Sequence, residues 1–321
     1  MNKSIKLIFN YLLAPLLLVL LCASLYNQIS KQPDLPQRWL QIKQSWQHGY
    51  FWLVFFMMFI NWGLEAKKWQ LLVSSIEKLT FFTAFKSVLA GCSVTMITPN
   101  RIGEYGGRII YLQEENRLRA ISVTILGSMS QLLVTLVAGC LGLSYLKFVS
   151  KFTILPWLFT DVLLVVSICL TVILALLYGK VSWMVRHMQR LKFLRGLYKY
   201  MAVLNVISGK QLLRILALSV VRYLIFILQY VVLLNVMQVE VSIALSFLLL
   251  TIFYLFMAVA PTVGFIELPV RAAVSLELFK LYSNNVLGIQ AAALGIWMIN
   301  LVIPAILGSI LIFGIKILKE R

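Results

Sequence analysis

Apolar residues run along this chain in long, nearly uninterrupted stretches, and polar residues collect between them. Six stretches are long and apolar enough to cross a hydrocarbon core, near 8–26, 49–64, 121–146, 157–178, 212–236 and 287–314. A crossing takes roughly 20 helical residues. Two further apolar runs are interrupted. Residues 81–98 lead into TPNRIGEYGGR, and residues 243–260 lead into APTVGFIELPVR. In each, a proline closes the run, and glycine, glutamate and arginine follow. Proline lacks an N–H and restricts the residue before it, so both runs are predicted to stop there. We read them as re-entrant hairpins, 81–98 with 101–119 and 243–260 with 264–282; two full crossings in place of each would preserve the same charge parity. Broken backbone at membrane depth survives only where protein or water satisfies it.

The expected fold is therefore an all-α polytopic membrane protein, with about six full transmembrane helices and two proline-broken hairpins. Composition agrees, since 61% of residues are hydrophobic and only 12% are charged. A soluble domain of this length would not look like that. The start, MNKSIKLIFNYLLAPLLLVLLCASLYN, resembles a signal peptide. Leu21 stands before Cys22, where a lipoprotein would carry a small residue, so an uncleaved first helix is expected.

The net charge of +18 would raise the question of nucleic acid in a soluble protein. Here the basic residues sit between apolar runs, so we expect no nucleic acid and read the charge as positive-inside signal. Lys3 and Lys6 place the N-terminus in the cytoplasm, and the tail KILKER ends there too. The stretch 179–211 carries Lys180, Arg186, Arg190, Lys192, Arg195, Lys199 and Lys210 without one acid, which makes it cytoplasmic. Within it, Met184, Met188 and Leu191 can share a helical face opposite Arg186 and Arg190. That pattern fits an amphipathic helix on the inner membrane surface, or an ordinary basic loop. With this orientation the chain reads as one domain of two inverted repeats, about 1–150 and 151–321. Such repeats are characteristic of transporters, with the site near the midplane where broken helices meet.

The candidate chemistry lies in the two motifs. Glu104 and Arg108, like Glu267 and Arg271, are spaced to share a helical face. Ionisable residues inside a membrane are costly and usually mark a functional path. Arginine stays charged and binds phosphate or carboxylate in a planar, bidentate way. Arg101 adds a third cation. Gly103, Gly106, Gly107 and Gly264 permit turns and close backbone approach. The half-helix N-termini are expected to point free N–H groups at an anion. A polar cavity lined by Arg101, Arg108 and Arg271 follows, with the glutamates holding those arginines; both pairs could instead be structural. Arg222 and Gln229 share a face of the helix near 212–236 and either line that cavity or leave Arg222 to snorkel. Ala138 and Gly142 have a small-residue spacing too common to establish a dimer.

Cys22, Cys92, Cys140 and Cys169 lie in apolar segments, and His48 and His187 are isolated. We expect packing roles for the cysteines, no metal and no cofactor. No nucleotide-binding Gly-rich lysine motif is present.

TPNRIGEYGGRIIYLQ resembles the first signature of the lysylphosphatidylglycerol synthase transmembrane-region family, also called flippase-like domain proteins. APTVGFIELPVR is similar to the second signature, although Phe265 follows Gly264 where the family often has adjacent glycines. The resemblance spans nearly the whole chain. It implies a region that moves lipids between leaflets, without the soluble aminoacyl-transferase domain of the best-known members. The expectation is then a bacterial inner-membrane lipid translocase, more a transporter than an enzyme. Its partner would be a membrane lipid, an anionic phospholipid or polyprenyl phosphate, together with a possible second copy of the chain or a separate lipid-modifying enzyme. The substrate would contact Arg101, Gly103, Glu104, Arg108, Arg222, Gly264, Glu267 and Arg271. A membrane-embedded lipid or glycosyl transferase, or a membrane scaffold, are the alternatives.

Overall fold

The computed structural model describes residues 22–23, 26–32, 34–96, 98, 102–148, 157–190, 195–259 and 267–319. Among them the chain forms helices and no strand. In chain order these are α1 (Leu35–Gln44), α2 (Gly49–Val73), α3 (Phe81–Met96), α4 (Gly103–Arg108), α5 (Arg117–Phe148), α6 (Trp157–Gly179), α7 (Val181–Met188), α8 (Arg195–Met201), α9 (Gly209–Val236), α10 (Ile243–Val259), α11 (Glu267–Phe279), α12 (Val286–Trp297) and α13 (Ile303–Lys319).

Five helical stretches among the described residues are long and apolar enough to cross a membrane: Gly49–Val73, Glu114–Phe148, Thr160–Gly179, Gly209–Val236 and Val286–Phe313. They coincide with five of the six predicted runs. Most of the first run, 8–26, lies outside the described residues. Their outward faces carry exposed Phe56, Leu141, Ile173 and Ile310, as lipid-facing surface should. The chain is an all-α, multi-pass membrane protein.

Three boundaries differ from expectation for physical reasons. First, α2 runs through Glu65, Lys67 and Lys68 to Val73, because Glu65 and Lys68 are buried and paired. Second, α9 begins at Gly209, since Ser208 and Gln211 form a reciprocal capping box that satisfies two backbone donors. Third, the last span is not continuous. A π segment, Met298–Val302, joins α12 to α13. It precedes Pro304, which cannot donate to the carbonyl one turn back, and the wider turn absorbs that loss.

The helices α3 and α10 have 16 and 17 residues, about 24 and 26 Å at 1.5 Å per residue. Each falls short of a typical crossing. After the first break the chain makes only six residues of α-helix, then a 3-10 turn at Ile109–Tyr111. The arm predicted to reach residue 119 is therefore much shorter, as a segment with three glycines would favour.

Helices from early and late in the chain interlock. Ser93 Oγ donates to the Ala305 carbonyl at 2.6 Å, and Cys92 Sγ approaches the Leu301 carbonyl at 3.6 Å. Gly308 lets α13 lie directly on the Leu89 backbone. Gly139 and Gly142 press α5 against Leu255 and Thr251 of α10, so the small residues of α5 are taken up inside the chain. The stretch 179–211 is largely helical. In α7, Val181 and Val185 are buried and Met184 packs on the core, while Arg186 and Arg190 are exposed. Ser182 Oγ donates to the Leu204 carbonyl at 3.2 Å. The apolar face of α7 thus rests on the protein itself; Leu191 lies outside the described residues.

Candidate functional site

The site is organised by Glu65, which sequence patterning did not single out. It lies on α2, one helical turn from both Asn61 and Lys68, and the three face inward. Its Oε1 accepts from Arg108 Nη2 at 2.7 Å. Its Oε2 lies 2.8 Å from Lys68 Nζ and 3.1 Å from Arg222 Nη1. Arg108 Nη2 also pairs with Glu104. Glu65, Lys68 and Arg108 are each at most 3% exposed. Glu104 is the open member, its side chain 28% exposed. Three cations face two carboxylates, which leaves one positive charge in excess in a buried setting.

Arg222 is held on several sides. Nε donates to Asn61 Oδ1 at 2.7 Å and Nη1 to Gln131 Oε1 at 3.4 Å. Its guanidinium lies over Trp62 and Phe226, 5.5 and 5.1 Å from the ring centroids. Arg108 similarly lies 5.5 Å from Trp69. Cation–π contacts of this kind suit desolvated arginine. Arg222 does not snorkel; it turns inward toward α2. Gln229, on the same face, donates to the Val54 carbonyl at 2.7 Å and accepts from Asn300 at 2.9 Å.

Glycine makes the geometry at Arg108 possible. A Cβ on Gly107 would collide with the Ala90 carbonyl and come within 2.6 Å of Gly91 Cα. A Cβ on Gly103 would strike Val94 and Thr98. The short α4 therefore lies directly on α3, and Ser87 Oγ donates to the Arg108 carbonyl at 2.6 Å. Gly106 faces open space.

At the first motif one of the N-terminal donors is used within the protein. The Gly103 N–H donates to Thr98 Oγ1 at 2.8 Å, so this donor is already used. Glu104 and Glu267 each occupy the first turn of their helices, where the helix dipole favours negative charge.

Arg271 forms a separate pair with Glu267. Nε and Nη2 both donate to Oε1, at 2.8 and 2.6 Å, and the guanidinium lies 6.0 Å from Phe253. An aromatic row connects the two centres. Phe226 meets Tyr254 at 6.3 Å, and Tyr254 meets Phe253 at 5.2 Å. Of the predicted site residues, the Glu65 cluster thus gathers Glu104, Arg108 and Arg222, with Gly103 shaping its backbone. Glu267 and Arg271 form the second centre. Arg101 and Gly264 lie outside the described residues.

Sequence reading missed Glu65, Lys68 and Gln131. A signal was available on α2, where Asn61, Glu65 and Lys68 recur at helical spacing, with Trp62 and Trp69 each following one of them. Four buried donors around the cluster, Asn61 Nδ2, Trp62 Nε1, Trp69 Nε1 and Arg108 Nε, find no acceptor among the described residues. Glu65 Oε2 likewise lacks a well-directed hydrogen bond and is held by its ion pairs to Lys68 and Arg222.

Among known protein families, the model described as lysylphosphatidylglycerol synthase TM region matches residues 11–308. No curated protein and no solved structure matches the chain.

Proposed function

Because the chain belongs to the lysylphosphatidylglycerol synthase TM region family, a membrane lipid-related role is its premise, and we propose that it translocates a phosphate-bearing or anionic lipid between leaflets. The observation that carries this reading is the Glu65 cluster, a buried group with one excess positive charge set among membrane-spanning helices. Such a group is costly to maintain in hydrocarbon, and an anionic headgroup offsets it. Glu104 supplies the exposed edge at which a headgroup exchanges with the membrane surface. In this reading α3–α4 and α10–α11 are the two inverted, broken hairpins, and their relative rocking exposes the cluster to either side. The basic stretch 179–211 and both termini face the cytoplasm of a bacterial inner membrane.

The test is leaflet exchange of labelled lipids in liposomes carrying the purified protein. The panel contains an anionic phospholipid, a zwitterionic phospholipid and a polyprenyl phosphate. Faster exchange of a phosphate-bearing class, lost in Glu65→Gln and Arg222→Ala, is the expected result. Wild-type exchange in both variants, or no exchange by folded protein under any ion gradient, would overturn the proposal.

A further inference from the structure

A groove of about 980 Å³ lies between α5, α6, α9 and α10. Its walls are almost wholly apolar, with Leu133, Val137, Val220 and Leu245 among them. It opens on the outward faces of membrane-spanning helices, where Leu141 is 68% exposed. The surrounding medium is hydrocarbon, so the material at hand to fill it is a lipid chain.

The groove shares its walls with the ion cluster. On α9, Val220 and Tyr223 line it, while Arg222 between them turns toward Asn61 and Glu65. On α5 the wall begins at Leu133, two positions beyond Gln131, which bonds Arg222. A ligand with a phosphate at the cluster and an apolar tail would therefore find both environments on one pair of helices. A second copy of the chain fits less well. Close helix association in a membrane favours small residues at the contact; the groove does carry Ala138, Ala175 and Ala244, but they are set among larger Leu133, Val137, Leu141 and Leu245, and Gly139 and Gly142 already seat Leu255 and Thr251 of α10. The volume is at the upper end of the range for small-molecule sites, about 300–1,000 Å³.

We infer that this groove holds an apolar tail of the lipid whose phosphate the Glu65 cluster takes. The inference rests on the translocation reading for its headgroup site, but its test needs no transport. Full-length protein in vesicles is irradiated with a phospholipid that carries a diazirine on its acyl chain, and the adducts are mapped by mass spectrometry. Adducts are expected several-fold enriched at Leu133, Val137, Leu141 and Leu245 over Val165 and Ile173 on the outward face of α6. Val137→Trp, which fills the groove, removes the enrichment; Val137→Ile retains it. Arg222→Ala lowers the groove adducts and leaves the α6 background unchanged. Even labelling of all outward faces overturns the inference, as does enrichment indifferent to Val137→Trp or Arg222→Ala. A groove shielded by a second copy, seen as self-crosslinking through a cysteine placed at Leu141, overturns it too. Arg222-dependent adducts in a protein without leaflet exchange would leave the tail site standing and remove translocation.

Discussion

Glu65 and Arg108 stand 43 residues apart in the chain and meet at 2.7 Å, both buried. This contact ties α2 to the short helix α4. Removing the carboxylate leaves Lys68, Arg108 and Arg222 with only Glu104 to balance them. Glu65→Ala is expected to cost about 3–5 kcal/mol, the usual penalty for breaking a buried pair by deleting one partner. Thermal unfolding in detergent measures it, and an unchanged midpoint would remove Glu65 from the centre of the site.

Gly107 and Gly106 are adjacent but make opposite predictions. Gly107→Ala drives a methyl into the Ala90 and Gly91 backbone and should destabilise by about 1–3 kcal/mol. It also displaces Arg108, so lipid exchange falls with it. Gly106→Ala projects into open space and should stay within about 0.5 kcal/mol of wild type. Equal effects from the two would contradict the packing of α4 on α3.

Arg222→Lys keeps the charge and loses the fork. The Nε bond to Asn61, the Nη1 bond to Gln131 and the stack between Trp62 and Phe226 all depend on a planar guanidinium. The expected loss is about 1–3 kcal/mol, or roughly tenfold and more in the exchange rate. If lysine exchanges lipid as well as arginine, charge alone is sufficient at this position.

Ser208→Ala serves as a control for stability without function. It removes one side of the capping box at the start of α9, worth about 1 kcal/mol. The midpoint of unfolding should drop while exchange per folded molecule is unchanged.

The spans were legible because each is a long apolar run, and the Glu–Arg pairs because four-residue spacing is visible in TPNRIGEYGGR and APTVGFIELPVR. The centre of the site was harder to see. Glu65 and Lys68 follow an apolar run, where charges ordinarily mean that a helix has left the membrane. Their partners Arg108 and Arg222 are distant in the chain, and only the fold reveals that these charges meet. The joining of Gln131 to Arg222 is likewise tertiary. The amphipathic face of α7 fits a membrane surface and a protein surface equally well. The pattern records that a face is apolar and is silent on what covers it.

The contact of α3 with α13 bears on how the protein is made. Ser93 finds its acceptor at Ala305, and the Leu89 backbone lies on Gly308. Ala305 stands 212 residues beyond Ser93 in the chain. The α3–α4 segment that carries Arg108 is therefore synthesised well before the surface that seats it. Its docking can be completed only after α13 has been made, and until then its polar groups depend on water, lipid headgroups or the insertion machinery.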